Sequence, residues 1–152
     1  MADAEQFKKV RAIIDADAAR RYIVVSAPGK RDAGDTKITD MLEDCWSLAR
    51  WSNNYDGVLT KVQQRFEQIA ADLALTMDFA REFEIIRTCL TALPQRDYIL
   101  SRGEYLSAKL MAKYLEAEFI DPADCVLFTS EGELDEERTQ EALRDEIGRA
   151  HV

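Results

Sequence analysis

The stretch "YIVVSAPGKRDAGDTKITD", residues 22–40, decides how this chain is expected to fold. Tyr22–Val25 is a short, unbroken apolar run rich in β-branched residues, as in a strand covered on both faces. The chain then turns through Ser26, Ala27, Pro28 and Gly29, crosses a charged loop, and enters an amphipathic pattern near Thr36 to Thr39. In open α/β sheets, ligands sit beyond the carboxyl ends of strands. A loop there offering Ser26, backbone N–H groups, Lys30, Arg31 and a helix start suits an anionic small molecule. An ordinary strand-to-helix connection, capped by Asp35 or Thr36, fits the same spacing, and both readings stand at this point.

Outward from this stretch, apolar periodicity marks a series of helices. Asp3 with Gln6 resembles a capping box, and Phe7, Val10, Ile13 and Ile14 follow on one face. Ile38, Met41, Leu42, Cys45, Trp46 and Ala49 define an amphipathic helix after the loop. Leu59, Val62, Phe66, Ile69 and Leu73 give another, and Ala80, Phe83, Ile86, Leu90 and Leu93 a third, ended by Pro94. A further helix is expected over Asp97–Glu116. Glu118–Ile120 and Val126–Phe128 read as short strands about an Asp121-Pro122 turn, and Asp135–Gly148 as a last helix. The final Ala150-His151-Val152 resembles the start of a strand. Trp46, Trp51, Phe66 and Phe83 are expected in helix packing, and the acidic run Glu131–Glu141 on a solvated face.

Helices alternating with short buried strands predict an α/β fold: three αβα layers, a mainly parallel sheet flanked by helices, with a helical hairpin insertion from Tyr55 to Leu93. The 152 residues, 47% apolar, suffice for one domain, taken as residues 1–152, without linker or repeat. A net charge of −9 argues against a nucleic-acid binder. No apolar run is long enough to span a membrane. Three scattered cysteines, Cys45, Cys89 and Cys125, without a pairing pattern suit a reducing cytoplasm. His151 is the single histidine, so neither a zinc site nor a histidine-based triad is expected.

Gly29-Lys30 is not a Walker A loop, because Val24 stands where the first glycine belongs and Arg31 replaces the Ser or Thr. "SRGEYLSAK", residues 101–109, is the second candidate. Gly103 inside a helical pattern costs about 1 kcal/mol relative to alanine and admits a close neighbour, backbone or ligand. Glu104 beside it can hold an ammonium group. Alternatively, Ser101-x-x-Glu104 is a capping box, although periodicity begins earlier, near Tyr98.

Together, "YIVVSAPGKRDAGDTKITDML" and "SRGEYLSAKLMAKYLEAEFID" resemble the aspartate kinases of the amino acid kinase superfamily, more narrowly the clostridial type. "ADAEQFKKVRAIID" also resembles that family's first helix. The resemblance implies a partial amino acid kinase (carbamate kinase-like) fold. It implies a role in transferring the ATP γ-phosphoryl to the β-carboxylate of L-aspartate, the first step towards lysine, threonine and methionine. Thr39 matches a substrate-binding threonine, Glu104 the carboxylate that receives the aspartate ammonium, and Ser26 a serine lining the site.

The family's Lys-Phe-Gly-Gly-Ser-Ser strand and loop would precede Ala2. Its Gly-Arg-Gly-Gly-Ser-Asp phosphate loop, nucleotide lobe and ACT domains would follow Val152. The expectation is therefore a truncated amino-acid-binding lobe, inactive alone, with no catalytic or metal residue of its own. ATP and Mg²⁺ are expected to serve the full-length family and not to bind here. Because a strand is expected beside Tyr22–Val25, self-association is expected where that strand is missing. Two other readings compete: an acidic helical module binding a protein partner, and another amino acid kinase, such as one acting on glutamate.

Overall fold

A computed structural model of the chain describes residues 1–52, 54–92 and 95–149. Seven helices appear among these residues: α1 (Ala4–Asp15), α2 (Ile38–Trp51), α3 (Asp56–Asp72), α4 (Ala80–Ala92), α5 (Arg96–Leu115), α6 (Pro122–Cys125) and α7 (Glu136–Arg149). The chain divides into two compact units, Met1–Glu116 and Ala117–Val152.

The expected parallel sheet is absent among the described residues, where the only β pairing is an isolated antiparallel bridge between Phe128 and Leu134. Residues 22–25 and 118–120 are irregular, and Val126–Phe128 contributes one bridge instead of a strand. The α/β, three-layer assignment is therefore corrected: both units are helical. A strand exists only where a neighbouring backbone completes its ladder, and a parallel strand also needs both faces covered. Neither condition is met at residues 22–25, where Tyr22 is 61%, Ile23 37% and Val24 96% exposed.

Helices pack on helices in the first unit. Helix α2 lies at its centre, against α3, α4 and α5. The apolar stripe of α3 is wholly buried, through Leu59, Val62, Phe66, Ile69 and, just beyond its end, Leu73. Phe66 meets Phe79 at a ring-centroid distance of 5.9 Å. Tyr55 Oη lies 2.9 Å from Thr91 Oγ1, tying the start of α3 to the end of α4. Asp3 caps α1 by accepting from the Gln6 amide at 3.0 Å, and Phe7 is buried while Ile13 faces solvent. Trp51 is also exposed, at 83%, because it sits in the last turn of α2 and not on its inner face.

Helix α3 ends in a Schellman motif. Leu75 N donates to Ala70 O and Ala74 N to Ala71 O, each at 2.9 Å, with Ala74 left-handed at φ +57°. In the second unit, Asp121 caps α6, whose first residue is Pro122. Thr139 of α7 accepts from Leu127 N at 2.9 Å and so ties α7 to the bridge-bearing hairpin. Gly148 lies inside α7 and does not end it. Leu93, Pro94, Ala150, His151 and Val152, which carried expected helix and strand ends, lie outside the described residues.

Candidate functional site: a loop, a helix start and Glu104

Helix α5 begins at Arg96, so Ser101 lies inside it and its hydroxyl donates to Tyr98 O at 2.8 Å. The capping-box reading of Ser101 and Glu104 therefore fails. Glu104 Oε1 instead accepts the Ala27 amide at 3.3 Å, bridging 77 positions of sequence. Gly103 makes this approach possible. A Cβ at Gly103 would stand 2.9 Å from Ala27 Cβ, 3.3 Å from Ile38 Cγ2 and 3.4 Å from Leu42 Cδ1. The neighbour that the glycine admits is thus the loop after residue 25 together with the first turn of α2.

These contacts bring the sequence-predicted residues into one neighbourhood. Ser26 precedes Ala27 and is exposed, Thr39 follows Ile38 and is half-buried, and Glu104 is half-buried. The loop's two ends are joined by a hydrogen bond from Ile38 N to Pro28 O at 3.1 Å. The next amides of α2, those of Thr39 and Asp40, belong to the first turn and have no acceptor within the helix. A helix start with a threonine hydroxyl and free amides suits a carboxylate. A carboxylate such as Glu104 suits an ammonium group, and Glu104 commits only one oxygen to Ala27.

Arg65, which the sequence reading missed, and Asp35, which it offered only as a helix cap, hold the loop in place. Arg65 of α3 is 5% exposed. Its Nη1 donates to Thr36 O at 2.8 Å and pairs with Asp35 Oδ2 at 3.0 Å. Its Nη2 donates to Gly29 O and, at 3.3 Å, to Ala2 O. Asp35 also accepts from the Arg31 amide and Nε, both at 2.9 Å, and from Arg31 Nη2 at 3.0 Å. The Arg31 side chain and backbone bonds hold the Asp35 carboxyl well below the usual carboxylate range, with a smaller contribution from Arg65. Asp35 and Thr36 are therefore not the cap of α2; that position is Lys37, without a side-chain cap bond. The charge of Arg31 is likewise engaged by Asp35 and is not displayed to an incoming anion.

Burial pushes the Cys45 thiol up to about 12, so Cys45 is a core residue and not a nucleophile.

Comparison with known proteins supplies the family. No protein-family model matches the chain. Aspartokinase 3 of Bacillus subtilis (strain 168) is 34% identical over 144 residues, covering 86% of this chain and 31% of that protein. A crystal structure of Clostridium acetobutylicum aspartate kinase superposes with a TM-score of 0.92 at 41% sequence identity, over 97% of this chain and 34% of that one. Over this span the chain belongs to the aspartate kinase family. It covers about a third of the length of these aspartate kinases. The clostridial enzyme is described as an important allosteric enzyme for industrial amino acid production.

Aspartate kinases use ATP and Mg²⁺. The one glycine-lysine turn, Gly29-Lys30, directs the Gly29 carbonyl to Arg65, whereas a phosphate cradle needs N–H groups converging on the anion. Among the described residues, no group of three or more His, Cys, Asp or Glu is placed to hold a metal ion.

Proposed function

We propose that this chain provides the part of an aspartate kinase that holds L-aspartate. The observation that carries the reading is the contact between Glu104 and the Ala27 amide, made across Gly103, which joins the two family-like motifs. On this reading Glu104 receives the α-ammonium of aspartate. Thr39 and the first amides of α2 take a carboxylate, and Ser26 lines the site.

A free aspartate β-carboxylate is ionised at neutral pH and needs no general base before accepting a phosphoryl group. Phosphoryl transfer depends chiefly on positioning and charge neutralisation. The part assigned to these residues is accordingly to fix the acceptor, while ATP with Mg²⁺ supplies the γ-phosphoryl in the whole enzyme. Turnover by this chain alone is not expected.

Titration with L-aspartate tests the reading. Heat should appear with L-aspartate, fall sharply with L-glutamate, and vanish in Glu104→Gln. No heat from the folded wild-type chain refutes the reading and favours an acidic interaction module.

We further infer a cytoplasmic setting, supported by three free cysteines. Self-association through residues 22–24 is supported by the 96% exposure of Val24. A monodisperse monomer in light scattering would remove that inference.

A further inference from the structure

We propose that Arg65 is the positioning residue of the aspartate site: one buried guanidinium sets the separation of Ser26 and Thr39. The inference rests on the aspartate-binding reading and extends it to a residue outside both motifs.

The bonds of Arg65 are concentrated at the two ends of the loop. Gly29, whose carbonyl accepts from Nη2, follows Ser26 by three residues. Thr36 and Asp35, which engage Nη1, precede Thr39 by three and four residues. The Ile38–Pro28 hydrogen bond closes the base of the same loop. A guanidinium that is 5% exposed has lost most of its hydration and must be compensated by fixed acceptors. Among the described residues Nε is buried without a partner, so the compensation falls on Nη1 and Nη2, whose acceptors are backbone carbonyls and one carboxylate; a change of loop shape would leave these donors unpaired as well. The planar fork of arginine reaches both loop ends at once, which a lysine ammonium cannot do.

The anchoring helix also carries no candidate ligand contact. Ser26 and Thr39 lie in and just beyond the loop, and Glu104 lies on α5. Arg65 thus acts through the loop and not on the ligand. A binding surface whose parts are held apart at the right spacing before the ligand arrives avoids the cost of ordering them on binding.

Two measurements on the 152-residue chain test this: L-aspartate titration at a temperature where circular dichroism shows full folding, and native-state trypsin cleavage after Lys30, Arg31 and Lys37, read by mass spectrometry. The variants are Arg65→Met and Arg65→Lys, with Phe66→Leu as a core control on the same helix. Both Arg65 variants should weaken aspartate binding at least about tenfold and speed loop cleavage by a similar factor. The control should lower the melting midpoint while leaving binding and loop cleavage near wild type. Folded Arg65 variants that bind and resist trypsin like the control overturn the proposal. A silent wild-type titration overturns the aspartate reading alone, and the cleavage comparison then decides whether Arg65 holds the loop. If neither Arg65 variant folds, Asp35→Asn keeps the carbonyl bonds and removes the ion pair. It should shift both readouts about threefold in the same direction, and no shift overturns the proposal.

Discussion

Replacing Gly103 by alanine sets two effects of similar size against each other. Alanine inside α5 gains about 1 kcal/mol of helix propensity. Its new Cβ would meet Ala27 Cβ at 2.9 Å, closer than real carbon contacts come, with Ile38 Cγ2 at 3.3 Å and Leu42 Cδ1 at 3.4 Å. The Ile38 and Leu42 atoms can give way by side-chain rotation. Ala27 Cβ is fixed to its backbone, so relief there requires the loop itself to move. Overpacking of this kind costs about 1–3 kcal/mol. The net change in stability should lie between about zero and 2 kcal/mol of loss, or a fall of at most about 8 °C in melting midpoint.

Binding should suffer more than stability. The Ala27–Glu104 hydrogen bond is already 3.3 Å long, and displacement of the loop by a few tenths of an ångström removes it and carries Ser26 away from Glu104. The expected result of Gly103→Ala is at least about a tenfold weaker affinity for L-aspartate with the fold retained. Calorimetric titration beside a thermal melt separates the two effects. A higher melting midpoint together with unchanged affinity would refute the reasoning, because it would mean that a methyl group fits and that the glycine admits nothing.

Two further outcomes follow from local geometry. Ala74 adopts φ +57° at the end of α3, a conformation that costs an L-residue about 1–2 kcal/mol, so Ala74→Gly should raise the melting midpoint by about 2–4 °C; a lower midpoint would contradict the Schellman assignment. The Asp35 carboxyl is held below its ordinary range in the folded chain, so its stabilisation is present above the unfolded value of about 3.9 and is lost as pH falls through the folded value. Asp35→Asn should therefore melt earlier than wild type at neutral pH, with the gap narrowing as the pH falls below about 3.9. A gap that stays constant with pH would remove the ion pair with Arg31 and Arg65 from the account.

The helices were legible because each carries its own evidence. In α3 the residues Leu59, Val62, Phe66, Ile69 and Leu73 recur on one face, and all are buried. Where the stripe runs on to an element's end, periodicity misleads, as with exposed Ile13 and Trp51. Glu104 was legible as a candidate because it adjoins Gly103 in a helical pattern, while its rival role as a cap was decided only by where α5 starts.

The features that were not legible share a physical cause: they depend on backbone groups, which every residue possesses. Tyr22–Val25 has the side chains of a strand, yet a strand is made by the donors and acceptors of a neighbour, and no such ladder runs along it among the described residues. Arg65 was overlooked for the converse reason. Three of its partners are the carbonyls of Ala2, Gly29 and Thr36, and a carbonyl leaves no mark in a sequence. The sequence could have offered one clue, an arginine on the inward face of α3 between Val62 and Phe66. A cation placed on an apolar stripe must find fixed acceptors or leave the core, and a loop folded back over the helix supplies them. Such an arginine, one turn from a core position, therefore identifies an irregular segment whose shape the fold controls.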